Sequence, residues 1–393
     1  MPHATQALPR ALKGIAVLQA AMNAAHFAAM PMLALLIIQR IDNGVSVAGT
    51  ALAIYFCVSR IGPILLAPAV DRLEPWRGVS AGLTCRGLAF TALPFASQPA
   101  EALLAAALLG LGQGTYEVGL YGVIGRQDTH VRNRLLVLND QALNLGCVLG
   151  PLSGVALTLI SPDAAFLAAG AVLIVLGLAC LQVQSPLLRG QQHRHSSGSV
   201  APMLQDSQFL LLCLALIPFW AVFAQLFAAF PLLAARFGNA PAWANSILVV
   251  NGLAGVAALA CLGPLVARGQ TLLVLIFGLI VSFASIAGAA SVGGLWGLLL
   301  IVALFSVGES CVMLAGQIFT ARHAEGRSAT VYFGAFKASA GVGAGIGSYL
   351  GVLTTDGHAG GFLVLAAIGI LSLGGLAAYA RHQRGAPCMR RAL

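Results

Sequence analysis

Apolar residues along this chain gather into twelve runs, each near the ~20 residues that cross a bilayer as a helix. They fall at 14–38, 47–70, 77–96, 101–125, 136–160 and 163–183, then at 209–235, 243–267, 271–290, 294–320, 328–352 and 359–380. Continuous runs of this length predict buried helices rather than alternating strands. One long polar stretch interrupts the series at 184–208, with Gln191, Gln192, His193, His195 and a serine-rich tail. It reads as a flexible linker. The expected organisation is a six-helix bundle over 1–183, a linker over 184–208 and a second six-helix bundle over 209–393.

Composition sharpens this picture. Hydrophobic residues make up 59% of the chain and charged residues 8%, which excludes a soluble domain of this length. The net charge of +9 forms no basic stripe and so does not point to nucleic acid. The bases instead set topology. With the N-terminus inside, sixteen bases lie on the cytoplasmic side (Arg72, Arg77, Arg132 and Arg327 among them), against Arg40 and Arg236 outside. The positive-inside rule then places both termini and the linker in the cytoplasm. Alanine richness fits a bacterial inner membrane. The first apolar run is too long for a signal-peptide core. The eight cysteines form no CxxC pair and read as small buried hydrophobes. No Walker loop, HExxH or GxSxG motif occurs, so neither an enzyme nor a cofactor is expected.

The fifth run carries Gly146, Gly150, Pro151 and Gly154. A glycine every fourth residue bares one helix face for close packing. Pro151 removes a backbone donor inside the helix. This pattern resembles the GxxxGPxxG motif of proton-coupled antiporters of the major facilitator superfamily. Asp71, Arg72 and Arg77, between the second and third runs, resemble that superfamily's cytoplasmic latch loop, with Ala67 in place of its leading glycine and Pro75-Trp76 in place of its Gly-Arg core. The resemblance implies twelve transmembrane helices in two pseudo-symmetric bundles, an all-α membrane fold, with Asp71 facing the start of the eleventh helix near Ser328. The halves echo each other at a spacing of 195 residues, Gly146 with Gly341 and Gly150 with Gly345.

Charges at membrane depth cost ~2.5–3.5 kcal/mol each and need a reason. They are Arg60, Arg86, Glu117, Glu309 and Lys337, with Asp140 nearer the cytoplasmic end of the fifth run. Glu117 is the first choice for proton carrier, with Glu309 and Asp140 as further candidates. A permanent pair of Glu117 with Arg86 or Arg60, and of Glu309 with Lys337, is the purely structural alternative. Asn23, His26, Arg60, Arg86, Gln225, Asn251 and Lys337 are candidates for a substrate cavity. Met22, His26 and Met30 share one helix face, and thioether with imidazole suits Cu(I). No resident metal is assigned, because a methionine stripe at this spacing usually packs.

The reading is a monomeric transporter that exports a small amphipathic molecule in exchange for protons, either multidrug or a secreted metabolite such as a siderophore. Uptake of copper or a small organic solute is one rival. A non-transporting receptor or scaffold is the other.

Overall fold

The computed structural model describes residues 10–125, 127, 129–183, 200–267, 270–325, 327, 329–355 and 359–385. Twelve helical spans follow one another. The first is Arg10–Ala29 continued by Leu33–Arg40, joined by a tight turn at Met30–Met32. Pro31 sits in that turn, where its missing N–H costs least. The second to sixth are Gly44–Leu73, Pro75–Ala92, Pro99–Gly125, Thr129–Thr158 and Ala164–Gln182. The seventh is Ser207–Phe223 continued by Ala229–Phe237, and the eighth is Ser246–Ala267. Thr271–Ala289, Leu295–His323, Ala329–Thr354 and Ala359–Gly385 complete the series.

Ten of the described helical stretches are long and apolar enough to cross a membrane. The third and eleventh spans are the other two. Arg77 and Arg86 in the third, and Lys337 with six glycines in the eleventh, lower their mean hydropathy. The outward faces of the molecule carry large apolar side chains such as Leu167, Val175, Leu253, Ile280 and Leu371, as a bilayer requires.

The segment expected as a latch loop is almost entirely helix. The second span runs to Leu73 and the third begins at Pro75, so Glu74 alone makes the corner. Its φ of 70° lies in the left-handed region, and Pro75 at the first helical position stops the two helices from merging. Arg77 is exposed and pairs with Glu74 at 3.5 Å. The side chains of Asp71 and Arg72 lie outside the described residues.

Gly146, Gly150 and Gly154 press the fifth span onto the first. A methyl group on Gly146 would come 2.8 Å from the Ala20 carbonyl, and one on Gly150 would come 2.7 Å from that of Ala24. Gly154 faces Ala28 in the same way. Three glycines thus face three alanines, one helical turn apart. The C-terminal half repeats this contact, but at a spacing of 197 rather than 195. Gly343, Gly347 and Gly351 meet Ile217, Ala221 and Gln225 of the seventh span. Gly341 and Gly345 do a different job. They face the second span, across the two halves, at Phe56, Arg60 and Cys57. The 195 spacing picked the wrong stripe because the eleventh span carries two glycine stripes and the fifth carries one.

Contacts between the halves extend from mid-span toward the ends remote from the termini. Gly49 lies against Tyr349, Gly154 against Asn245 and Gly252 against Val148. Phe227 stacks with Phe27 and meets Phe56 edge-on.

Candidate functional site

Glu117 sits between three elements. It lies on the fourth span, two turns from that helix's end at Gly125. Lys337 of the eleventh span donates to its Oε2 at 2.9 Å. Arg60 of the second span stands 3.6 Å from Oε1. Gln113, one turn earlier on the same helix, donates to Oε1 at 2.7 Å. The carboxylate side chain is 14% exposed, against 31% for Arg60 and 35% for Lys337. The anion is therefore the covered partner, held by one cation from each half. Lys337 also lies 4.9 Å from the centre of the Tyr121 ring, close enough for a cation–π contact. In low dielectric such a cluster gains little net stability, but removing one partner strands the others.

Glu309 of the tenth span has a different environment. Asn251 of the eighth span donates to its Oε2 at 2.5 Å and also to Ser306 Oγ at 2.9 Å. No cation among the described residues lies within ion-pair distance of it. The pair of Glu309 with Lys337, the structural alternative read from sequence, is not formed, because Lys337 has turned across the interface to Glu117. Nor is Glu117 paired with Arg86.

Arg86 is fully buried. Its stem crosses the fourth span where Gly112 has no side chain, since a methyl group there would lie 2.6 Å from Arg86 Cγ. Its Nη1 reaches Met22 Sδ on the first span at 2.8 Å. Nε and Nη2 have no hydrogen-bond partner among the described residues.

Around Arg86, Tyr116 donates its hydroxyl to Gln19, and Asn23 Nδ2 donates to the Gln19 carbonyl at 2.9 Å. His26 Nε2 lies 3.2 Å from the Tyr55 hydroxyl, and its Nδ1 is unpartnered. Met22 is thus held by a guanidinium and His26 by a phenol. A cation against the thioether works against a second cation there, so the face shared by Met22, His26 and Met30 is poorly suited to copper. No cluster of three His, Cys, Asp or Glu occurs among the described residues.

The remaining candidates separate. Gln225 is fully buried and donates its amide to the carbonyls of Ala221 and Gly347, both at 2.8 Å. It clamps the seventh span to the eleventh. The side chain of Asp140 lies outside the described residues. Gln113, Gln19, Tyr55 and Tyr116 complete these hydrogen-bond networks and were not singled out from sequence. Gln113 was within reach of such reasoning, since it lies four residues before Glu117 on the same helix face.

A second polar hub lies at the start of the seventh span, in the C-terminal half. Asp206 caps that span by accepting from Phe209 N–H at 3.0 Å. It also meets His323 Nδ1 at 3.1 Å and accepts from Arg327 at 2.7 Å and Tyr332 at 3.2 Å. Burial works against the charged carboxylate, but these hydrogen bonds prevail and hold it below the usual carboxylate range.

Comparisons with known proteins agree with this architecture. The chain matches a transporter of the POT family in complex with 5-aminolevulinic acid at 14% identity, covering 96% of this chain and 98% of that one, with a TM-score of 0.77. It matches the POT family transporter PepTSo at 15% identity, over 96% and 99% of the two chains, with a TM-score of 0.77. The nucleoside transporter NupG follows at 13% identity, over 93% and 97%, with a TM-score of 0.70. At these identities the likeness is one of fold. A search of curated proteins gave no match in sequence. A sequence profile covers residues 15–348, most of the chain, and with it the chain belongs to the Major Facilitator Superfamily, as a multi-pass transport protein and not an enzyme.

Proposed function

We propose that this transporter exports a small amphipathic molecule in exchange for protons, by alternating access between its two halves. One observation carries the reading: the Glu117 carboxylate is shared by Arg60 of its own half and Lys337 of the other. A proton on Glu117 would leave two cations facing each other with no anion between them, and at a few ångströms that repulsion is substantial. Proton binding therefore weakens the bridge between the halves, and proton loss restores it. A coupling of this kind changes which face is open.

The outward direction rests on Gly146, Gly150, Pro151 and Gly154, whose resemblance to the antiporter motif is matched by close packing on the first span. With both termini in the cytoplasm, the contacts between Gly49 and Tyr349 and between Gly154 and Asn245 lie on the outer side. That supports a conformation closed to the outside. Among cargoes, a secreted polar metabolite such as a siderophore fits better than a lipophilic cation, since bases outnumber acids at mid-span.

The test is proton release in everted vesicles on addition of candidate cargoes, siderophores included. Cargo-dependent release that is lost in Glu117→Gln supports the reading. Cargo movement with no proton movement would remove it.

A further inference from the structure

Two mid-span ionisable groups have no ion-pair partner among the described residues once Glu117 has taken Arg60 and Lys337. Arg86 is a cation in the N-terminal half, fully buried, with Nε and Nη2 unpartnered among the described residues. Its one hydrogen-bond partner among the described residues is a thioether sulfur, a weak acceptor. Glu309 is an acid in the C-terminal half, and its one hydrogen-bond partner among the described residues is a neutral amide. Burying a charge without its counterpart is expensive, and membrane proteins retain such charges at sites of function.

The repeat between the halves makes the pattern more specific. Gly82 and Gly112 pack the third span on the fourth as Gly278 and Gly308 pack the ninth on the tenth, at a spacing of 196. In that register Ser282 stands where Arg86 does, and Gln113 where Glu309 does. Neither charge is therefore required by the helix packing, since the other half makes the same packing without it. Each half has acquired one ionisable group without a counterpart among the described residues, a base in one half and an acid in the other.

We propose that the cargo is a zwitterion whose anionic group docks on Arg86 and whose ammonium group docks on Glu309. This rests on the transport reading above and names its cargo class. Met22 covers Arg86, and its unbranched side chain can swing aside at little cost. The Tyr116–Gln19 and His26–Tyr55 pairs are buried around Arg86 on the N-terminal side. Asn251 holds the Glu309 carboxylate in place on the other. A molecule with both charges neutralises both halves at once and spans them, which draws them together around it.

The experiment measures thermal stabilisation of the purified full-length chain by a ladder of straight-chain ω-amino acids of increasing length and by dialanine. Alkanoates and alkylamines of matched length are the single-charge controls. At least one zwitterion should bind roughly tenfold tighter than both its controls. Arg86→Gln should bind that zwitterion no better than the amine, and Glu309→Gln no better than the carboxylate. Arg86→Lys should keep part of the preference. Glu117→Gln should keep the preference in binding while losing proton-driven flux, so the two readings fail separately. If no zwitterion outperforms its controls on the unmodified chain, the proposal is overturned whatever the variants do. A preference that survives both Arg86→Gln and Glu309→Gln would overturn it as well.

Discussion

Lys337 Nζ stands 2.9 Å from Glu117 Oε2, and this bond joins the eleventh span to the fourth across the two halves of the molecule. It is the charged contact on which the proposed coupling turns. Removing either partner leaves the rest of the cluster unbalanced. Lys337→Gln should reduce proton-driven flux by at least about tenfold, equivalent to ~1.4 kcal/mol. The exchange Glu117→Lys with Lys337→Glu should restore more flux than either single change. Flux assays in vesicles on the four variants form a double-mutant cycle, and strict additivity would argue against direct coupling.

The close approach of the fifth span to the first makes Gly150 intolerant. The atoms that a side chain would meet are the Ala24 carbonyl at 2.7 Å and Phe27 Cβ at 2.9 Å. Backbone cannot yield as a flexible side chain can. Gly150→Ala should destabilise the chain by ~1–3 kcal/mol, the range for overpacking. Gly334→Ala is the control, since nothing lies within 4 Å of the added carbon. Thermal unfolding in detergent should separate the two variants clearly.

Gly112 gives Arg86 its path across the fourth span. Gly112→Ala should displace the arginine stem, which would otherwise lie 2.6 Å from the new carbon. Cargo binding should weaken by about tenfold or more, equivalent to ~1.4 kcal/mol, while chain stability falls by ~1–3 kcal/mol. Binding titrations alongside melting curves check both effects.

Asp206 supplies a pH dependence outside the membrane. Its carboxylate is held below its ordinary value in the folded chain by hydrogen bonds from Phe209, His323 and Tyr332. The sign follows from linkage: a depressed folded pKa stabilises above the unfolded value of about 3.9. That stabilisation is lost as pH falls through the lower folded value. At neutral pH, Asp206→Ala should cost ~1–2 kcal/mol through the lost helix cap. Melting curves taken from neutral pH downward should show the difference between the two chains shrinking below about pH 4.

Much of the architecture could be read from the chain itself. Run length alone indicates twelve helices, because each helix must satisfy its backbone within a ~20-residue span. The five charges at membrane depth also stood out, since charge there is rare. Their pairing stood out only in part: Glu117 with Arg60 was among the alternatives and forms, whereas Glu117 with Lys337 was not foreseen. Glu117 and Lys337 are 220 residues apart, and no periodicity links two helices in different halves. The register of the repeat was misread for a related reason. Gly341 and Gly343 begin two stripes on one helix, and only their neighbours, Arg60 or Ile217 and Trp220, tell the stripes apart. Asp206 was overlooked because it lies in a polar stretch that reads as linker, and its partners His323 and Tyr332 come from two other spans.

Reconstitution of the purified chain in liposomes, with an imposed pH difference and an otherwise equal cargo concentration on both sides, tests the central claim most directly. Cargo should accumulate against its gradient for the unmodified chain and only equilibrate for Glu117→Gln. Equal accumulation by both, or accumulation that ignores the pH difference, would contradict a proton-switched bridge between the halves.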